Sequence, residues 1–414
     1  MNFGVLGSGA REHALQWCLE RSDAVETVFA IPGNGGTHSN VPVDLSDMEA
    51  IRTVCDRHEI DLLVVGPEGP LAAGIVDAFA DHPTRVFGPS RSAARLESSK
   101  VWSKRFMQRN GVPTAGFSVV DTLEGWAQFA DERGGRAVLK ADGLAGGKGV
   151  AVCRRPEDIE AEWQRMTALR PPGESFVAEE LVEGWELSIH VLTDGLAWSL
   201  FPSSQDHKPL LNGDRGPNTG GMGAFSPVSA CSEPLLERIV SGVVEPTLHG
   251  LATESIRYCG FLYFGLMITS EGPVVLEYNV RLGDPETQVL LPALTSDLAP
   301  ALFSCLDGTL SSDALSFGTG STAGVVLASP GYPVSPQTGT RIDGHPVSSE
   351  DALIFHAGTR RLGNGWVTSG GRVLTAVGRG STVEDACMRA YAACDRIRFD
   401  GMQLRTDIGR RTAA

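Results

Sequence analysis

One short run places a carboxylate, an amide and a guanidinium at every second position: Glu277, Asn279 and Arg281. Because successive side chains of a strand point to opposite faces, the spacing predicts a strand over 273–281 with these three groups on one face. Carboxylate and amide oxygens are hard ligands that suit Mg²⁺, which usually keeps waters and bridges to substrate phosphates. A guanidinium can hold a phosphate or carboxylate in bidentate fashion. The intervening apolar residues predict the packed face: Leu276, Tyr278 and Val280.

The run therefore indicates a metal site formed by Glu277 and Asn279, with Arg281 beside it to hold substrate. Asp284 follows in a Gly-Asp-Pro turn, which ends the strand and adds a further ionisable group at its tip. The alternative is a half-exposed strand whose outer face is merely polar.

A glycine-rich hairpin carries two lysines, Lys140 on the strand 137–141 and Lys148 in the loop 142–149, before the return strand 150–153. It is not a Walker A loop, because glycine and a strand follow the second lysine. Glycines let a backbone fold closely over phosphate oxygens, so the hairpin predicts a lid over a nucleoside triphosphate. The alternative is a mobile hairpin with a solvated lysine. The glycines that would cover the phosphates are Gly146, Gly147 and Gly149.

A strand that runs into an extended segment, 175–184, is suited to exchange backbone hydrogen bonds with the edge of a purine. Glu186 follows it and could reach ribose hydroxyls, while Lys104 lies on a predicted helix over 101–110. Taken in isolation, these acids and this lysine would be read as surface residues. The candidate nucleotide contacts of the segment are Glu179, Glu180 and Leu181.

Strand and helix patterns alternate over residues 1–99, which predicts a parallel sheet whose ligands bind beyond the carboxyl ends of the strands. The first loop reads G-x-G-x-x-E, with Glu12 where a dinucleotide fingerprint has its third glycine. This favours a small phosphorylated substrate over NAD, because amides at a helix start suit a phosphate and Arg11 adds charge. A tight turn without a ligand stays open. Glu68 lies in a later loop at the same edge.

Residues 213–224 are polar and rich in glycine, and a structureless loop of this length in a compact enzyme is usually functional. Its Asp214, Asn218 and Thr219 could hold a small zwitterion. Beyond about residue 317 the pattern predicts a smaller α+β domain, in which Val367, Val373 and Leu374 mark a hairpin. We identify no strong candidate chemistry in that domain.

Composition limits the class of protein. A chain of 414 residues predicts two to four domains, and a net charge of −15 argues against general nucleic-acid binding. No apolar run has the length of a membrane helix and no signal pattern is evident, so we expect a cytoplasmic protein without a membrane segment. The eight cysteines form no C-x-x-C pair, which argues against zinc and against a disulfide framework.

Several runs, ordered along nearly the whole chain, resemble the ATP-grasp superfamily and, within it, the phosphoribosylamine–glycine ligase family. The most specific is the P-N-T-G-G-M-G-A run at 217–224. The chain departs from the family pattern at Ala10, where glycine is usual, and at Tyr278 and Val280, where Phe and Cys are usual. The other matching runs are 9–15, 66–68, 139–150, 204–208, 283–288 and 355–359.

The resemblance implies a multidomain α/β and α+β protein in three parts. These are an N-terminal, Rossmann-like parallel-sheet (pre-ATP-grasp) domain over 1–99, an ATP-grasp core over 100–316 with a mobile lid subdomain at about 115–186, and a small C-terminal α+β domain over 317–414. It also implies ligation of glycine to 5-phosphoribosylamine in purine synthesis, with ATP as co-substrate, Mg²⁺ or Mn²⁺ as cofactor and a glycyl phosphate intermediate. We expect a monomer. The alternative is another ATP-grasp carboxylate–amine ligase or a carboxylase of purine metabolism.

Under this reading Lys148, Arg281 and Asp284 are the catalytic candidates. Substrate contacts are expected from residues of the first loop, the third loop, the polar loop and the strand tip: Gly9, Arg11, Glu12, Glu68, Asp214, Asn218, Thr219, Arg281 and Asp284. A Rossmann oxidoreductase that binds NAD, and a nucleotide-binding protein without activity, are the rival classes.

Overall fold

The computed structural model describes residues 1–144, 149–168, 175–344, 346–349 and 352–410. Its N-terminal region contains a four-stranded sheet in which every pair is parallel, in the order β2-β1-β3-β4. The strands are β1 (Asn2–Gly7), β2 (Thr27–Pro32), β3 (Leu62–Val65) and β4 (Arg85–Phe87). The helices are α1 (Ala10–Leu19), α2 (Met48–Arg57), α3 (Glu68–Ala73), α4 (Ile75–Ala78), α5 (Arg95–Ser98) and α6 (Lys100–Arg109).

The predicted parallel sheet is confirmed by these strand pairs. The apolar runs of β1 and β3 are buried along almost their whole length. The helical segment after β3 is divided into two short helices. Gly74 adopts φ +92°, a left-handed conformation that glycine tolerates, and it divides the segment into α3 and α4.

A second sheet, antiparallel and ordered β5-β8-β6-β7, carries the lysine hairpin. Two helices, α7 (Leu123–Asp131) and α8 (Asp158–Ala168), complete the small core of this region around the buried Trp126. The predicted hairpin strands are confirmed. The strands are β5 (Phe117–Val120), β6 (Ala137–Ala141), β7 (Val150–Cys153) and β8 (Phe176–Glu180).

The third sheet, ordered β10-β9-β15-β16, carries the metal-site candidates on its edge strand. Between β10 and β15 a helical segment runs as α9 (Glu233–Ile239), a π-helical turn (Val240–Val244) and α10 (Glu245–Thr253). After β16 the chain forms α11 (Thr287–Leu290), a 3₁₀ turn (Leu291–Ala293) and α12 (Leu298–Asp307). The strands are β9 (Trp185–Thr193), β10 (Trp198–Leu200), β15 (Gly260–Ile268) and β16 (Pro273–Asn279).

A register shift in the β15–β16 ladder changes which residues of β16 are packed. Gly265 pairs with Glu277 but Leu266 pairs with Val275, so Leu276 is the extra residue of a β-bulge. Val275 is therefore fully buried and Leu276 only half-buried. The prediction that Leu276 belongs to the packed face is wrong, whereas Tyr278 is buried as expected.

The remaining strands form a five-stranded sheet ordered β11-β14-β17-β22-β19, a four-stranded sheet ordered β20-β21-β18-β23, and the hairpin β12–β13. Helix α13 (Val383–Cys394) packs against β22 and β17. The strands are β11 (Gln205–Asp206), β12 (Pro209–Leu211), β13 (Arg215–Asn218), β14 (Gly223–Ser226), β17 (Ser321–Ala328), β18 (Arg341–Gly344), β19 (Ala352–His356), β20 (Thr359–Leu362), β21 (Gly365–Thr368), β22 (Arg372–Gly380) and β23 (Ile397–Arg398).

Two sequence-based expectations for this region are wrong. Residues 213–224 are not structureless, because β13 pairs with β12 and β14 joins the five-stranded sheet. Val367 and Val373 do not belong to one hairpin, since β21 pairs with β20 while β22 pairs with β17 and β19.

The N-terminal and C-terminal regions are in contact across the loop that follows β2. The Asn34 side chain donates to the main-chain oxygens of Ser8 (3.0 Å) and His356 (2.7 Å). A Cβ on Gly36 would lie 2.3 Å from the His356 ring, so a side chain at this position would clash. Across the described residues, the helices are too short or too polar to span a bilayer.

Candidate active site

Glu277 and Asn279 lie at the end of β16, and both side chains are partly exposed. Burial opposes the charge of Glu277, but nearby lysines, Lys208 foremost, hold its pKa below the ordinary value. Glu277 is therefore ionised at neutral pH. The Lys208 Nζ atom lies 3.6 Å from Glu277 Oε1 and 3.1 Å from Glu186 Oε2. An ionised carboxylate two residues from an amide oxygen fits a divalent cation that takes its other ligands from phosphate and water.

The described residues contain no group of three or more His, Cys, Asp or Glu side chains placed to enclose a metal by themselves. A cation at Glu277 and Asn279 would thus depend on substrate oxygens.

A second group of charges links the sheet that carries the lysine hairpin to β16. Lys104 Nζ and Lys140 Nζ lie 3.1 Å and 3.0 Å from the same atom, Glu179 Oε2. Lys140 also donates to the main-chain oxygen of Leu276 (2.9 Å), and so joins β6 to β16. Burial lowers the pKa of Lys104 to about 8, against the effect of Glu179. The buried Glu179 Oε1 has no hydrogen-bond partner among the described residues.

The other predicted nucleotide contacts surround this group. Glu180 is exposed and bonds to Arg133 (3.2 Å), and Leu181 is half-buried. Glu186 is half-buried at the start of β9. The Gly149 main-chain oxygen accepts from the Ala141 amide (2.8 Å). Three further candidates lie outside the described residues: Gly146, Gly147 and Lys148.

Arg281 lies between two carboxylates of the N-terminal region. Its Nε donates to Glu68 (3.2 Å) and its Nη2 to Glu97 (3.0 Å). Although burial favours protonation, Arg281 and Arg11 lower the pKa of Glu68 to about 2. Burial raises the pKa of Glu97 to about 7, against the effect of Arg281. Sequence reasoning missed Glu97 because its partner, Arg281, is distant in the chain. No local sequence pattern indicates that these two residues pair.

The first loop is organised by Glu12. Its carboxylate accepts from the Gly9 amide (2.6 Å) and from Arg11 Nε (2.7 Å), and it fills the space beside Gly66. A Cβ on Gly66 would lie 2.1 Å from Glu12 Oε1. The position that is glycine in a dinucleotide fingerprint thus carries a buried acid that contacts the neighbouring loop. Arg11 Nη1 donates to the Leu282 main-chain oxygen (3.3 Å), which brings the first loop to the segment that follows β16.

Asp284 is held by an arginine of the C-terminal region. Arg372 Nη2 donates to the Asp284 carboxylate (2.8 Å), and its Nη1 donates to the main-chain oxygens of Asp284 (2.8 Å) and Gly220 (2.5 Å). A Cβ on Gly221 would lie 2.4 Å from Pro285, so the polar loop packs directly on this turn. The sequence offered no strong candidate chemistry in the C-terminal domain, and Arg372 is a residue of that domain that sequence reasoning missed.

The three polar-loop candidates occupy different environments. Asp214, in the turn between β12 and β13, accepts from the buried Arg405 (2.9 Å). Asn218 is exposed at the end of β13. Thr219 is buried and donates to the Lys208 main-chain oxygen (2.7 Å), which ties the loop to the lysine beside Glu277. Arg405 is a further residue that sequence reasoning missed.

A buried acidic group next to Lys208 was also missed. Burial raises the pKa of Asp206 to about 8, and burial raises the pKa of Glu286, whose Oε1 accepts from Ser188 (3.1 Å). The pKa of Lys208 is raised as well, which for a lysine favours the charged form. Burial alone would lower the pKa of Lys208, but Glu186 and Asp206 raise it well above its ordinary value. Lys208 is therefore a permanent cation at this site.

Family models match the chain in three consecutive segments. Residues 1–97 match the phosphoribosylglycinamide synthetase N domain, 98–287 its ATP-grasp (A) domain and 322–411 its C domain. The chain belongs to the phosphoribosylglycinamide synthetase family. The family, the fold class with its ATP-grasp core, and the ligase class predicted from the sequence are thereby confirmed.

Curated relatives of the synthetase family align over almost their full length. The phosphoribosylamine–glycine ligase of Ralstonia nicotianae is 45% identical over 420 residues, covering 99% of both chains. The ligase of Chlorobaculum tepidum is 44% identical over 426 residues, covering 98% of both. The ligase of that name from Thermotoga maritima, solved by crystallography, superposes with a TM-score of 0.84 at 36% identity, over 99% of this chain and 100% of that one.

A more distant likeness concerns the fold alone. The biotin carboxylase domain of the Hydrogenobacter thermophilus 2-oxoglutarate carboxylase, solved with MgADP, superposes with a TM-score of 0.73 at 18% identity. The match covers 97% of this synthetase family member and 91% of that domain.

Proposed function

We propose that the chain ligates glycine to 5-phosphoribosylamine, with ATP converted to ADP and phosphate, and so forms glycinamide ribonucleotide in purine biosynthesis. Full-length relatives named for this reaction support the proposal. The structural observation that carries it is the ionised Glu277, which lies beside Lys208 and on the strand whose Leu276 oxygen is bonded to Lys140. Such a site concentrates charge where a triphosphate would react.

ATP would lie between the β5-β8-β6-β7 sheet, which carries the lysine hairpin, and the β10-β9-β15-β16 sheet. Lys104 and Lys140 converge on Glu179 and would neutralise phosphate oxygens, and Lys148 would do the same on the evidence of its sequence context. The buried Glu179 Oε1 would accept a hydrogen bond from the nucleotide. The backbone from Glu180 to Leu181 would meet the purine edge. Glu186 would reach the ribose, and Gly149 would close over the phosphates with its neighbouring glycines.

Glu277 and Asn279 would hold Mg²⁺ or Mn²⁺. When bound, such an ion neutralises the charge that develops on the transferred phosphoryl group. The partial exposure of both side chains leaves room for phosphate oxygens to complete the coordination.

The reaction requires activation of a carboxylate, because carboxylate oxygen is a poor leaving group. The glycine carboxylate would attack the γ-phosphorus and displace ADP, giving glycyl phosphate. The amine of phosphoribosylamine would then attack the carbonyl carbon, and phosphate would leave with the C–O bond electrons. Arg281, fixed by Glu68 and Glu97, would orient the carboxylate, and Asp284, fixed by Arg372, would orient the amine substrate.

The phosphoribosyl group would lie at the first loop of the N-terminal sheet. A Cβ on Gly9 would lie 2.6 Å from Glu12 Oε2, so the absence of a side chain at Gly9 lets the Glu12 carboxylate approach the Gly9 amide. Arg11 would supply charge and Glu12 would hold the loop in shape. Glycine would be held by the polar loop through Asp214, Asn218 and Thr219. We further propose that the protein is monomeric and acts in the cytoplasm.

The decisive assay measures phosphate release with ATP and Mg²⁺. We expect release to require both glycine and phosphoribosylamine, with glycinamide ribonucleotide formed in equal amount. Release that depends on bicarbonate instead of glycine would replace this proposal with a carboxylase. ATP binding without turnover under any substrate combination would indicate a nucleotide-binding protein without activity.

A further inference from the structure

Two cysteines from distant parts of the chain meet away from the candidate active site. The Cys259 and Cys305 Sγ atoms are 3.2 Å apart although 46 residues separate them in sequence. Cys259 immediately precedes β15, and Cys305 lies on α12. Both are free thiols, and the chain holds eight cysteines in all. A disulfide requires a separation of about 2.05 Å, so only a small side-chain movement lies between this contact and a covalent bond.

The two thiols differ in access to solvent. Cys259 is half-buried, whereas Cys305 is fully buried and donates to the Thr193 main-chain oxygen (2.9 Å). Because the single S–H proton of Cys305 is donated to Thr193, the Cys259 thiol is the donor in the contact between the two sulfurs. The contact with Cys305 holds the pKa of the Cys259 thiol below its ordinary value although burial opposes this, and Arg257 acts in the same direction as Cys305. An accessible thiol with raised thiolate character beside a second thiol is the usual arrangement of a reactive and a resolving cysteine.

We infer that Cys259 and Cys305 form a reversible, oxidant-sensitive dithiol pair, a modification site that is independent of the proposed ligase reaction. The Cys259 thiolate would attack one oxygen of a hydroperoxide, and the O–O bond would break with release of water or an alcohol. This leaves a sulfenic acid on Cys259. The Cys305 thiol would then attack that sulfur, forming the S–S bond, and the sulfenic acid oxygen would leave as water with the thiol proton. The two thiols are oxidised and the hydroperoxide is reduced.

The crosslink would enclose the segment of the chain that carries the candidate metal site. Residues 259–305 include β15, β16 and the turn containing Asp284. Closing this segment would tie the start of β15 to α12 and restrict the unfolded chain. The oxidised protein should therefore unfold at a higher temperature than the reduced protein.

Mass-spectrometric peptide mapping of the full-length protein tests the pair. The reduced protein is treated with a small excess of hydrogen peroxide, denatured, and labelled with N-ethylmaleimide. We expect a Cys259–Cys305 crosslinked peptide, loss of labelling at these two cysteines alone, and restoration of both signals by dithiothreitol. The upward shift of the thermal midpoint should disappear on the same treatment.

Single serine variants supply the controls. Cys259→Ser should abolish the crosslink, whereas Cys231→Ser removes another partly exposed cysteine and should leave it intact. The wild-type mapping decides the matter even if a variant at the buried Cys305 fails to fold. Oxidation of Cys259 to sulfinic acid while Cys305 remains labelled would overturn the inference. A crosslink between any other pair, or one seen only under denaturing conditions, would also overturn it.

Discussion

Arg372 binds Asp284 through two separate groups, with its Nη2 on the carboxylate and its Nη1 on the main-chain oxygen, each at 2.8 Å. The same Nη1 reaches the Gly220 oxygen, so one guanidinium joins the C-terminal region, the turn after β16 and the polar loop. Burial opposes the charge of Asp284, but Arg372 and other arginines hold its pKa below the ordinary value. Asp284 is therefore presented as a carboxylate in a fixed orientation.

We predict that Arg372→Ala lowers kcat by roughly 10²-fold, the scale expected when a reacting group loses its orientation. Arg372→Lys should recover little of this, because an ammonium cannot reproduce the forked contact with Asp284. Steady-state kinetics with each substrate varied in turn measures the effect. Arg379, exposed on the same strand, provides the control, and Arg379→Ala should behave as wild type. Near-normal kcat in Arg372→Ala would show that catalysis does not require Arg372 to orient Asp284.

Glu277 tests the metal assignment. We predict that Glu277→Ala lowers ATP turnover by roughly 10²–10³-fold, the usual cost of losing one charge-stabilising group, while the protein stays folded. Circular dichroism and Mn²⁺ binding, measured beside turnover, separate loss of the ion from loss of structure. Glu271→Ala, in the exposed turn that precedes β16, is the matched control. Unimpaired turnover in Glu277→Ala would contradict the assignment of a metal site to β16.

The sequence predicted those features that depend on local pattern. Period-two spacing located the Glu277 strand, and alternation of apolar runs identified the parallel sheet. The bulge at Leu276 was not predictable, because it depends on how β15 pairs with β16. Arg372 was missed for a similar reason, since its partner Asp284 is 88 residues away and an isolated arginine has no local signature. Neither Val367 nor Val373 indicates which sheet its strand joins.

Asp214 can be tested as a glycine contact against a purely structural role. If it binds the ammonium group, Asp214→Asn should raise KM for glycine roughly tenfold or more, as expected for a lost charged hydrogen bond. Asp407→Asn is the control, because Asp407 also pairs with Arg405, at 2.7 Å. Equal losses of thermal stability in both variants, with KM unchanged in both, would show that Asp214 has a structural role and does not bind glycine.

His190 provides a test of stability against pH. The residue is fully buried and packs on Tyr263, with ring centroids 4.8 Å apart, and its Nε2 accepts from the Gly283 amide (3.3 Å). Burial lowers the pKa of His190 from 6.5 to about 3. Between these two pKa values the His190 side chain is protonated in the unfolded chain and neutral in the folded protein. The stability contributed by His190 is therefore present above pH 6.5 and is lost as the pH falls toward 3, by up to about 1.4 kcal/mol per pH unit.

We accordingly predict that His190→Leu flattens the decline of the unfolding free energy below pH 6.5. Urea denaturation of wild type and variant at several pH values between 3.5 and 7.5, a range chosen to span roughly the titration window, measures the difference between the two profiles. Other buried histidines, such as His13, contribute to both proteins and cancel in that difference. His249→Leu removes an exposed histidine and should retain the wild-type profile. If the His190→Leu profile runs parallel to wild type, His190 takes up its proton in the folded state as readily as in the unfolded chain.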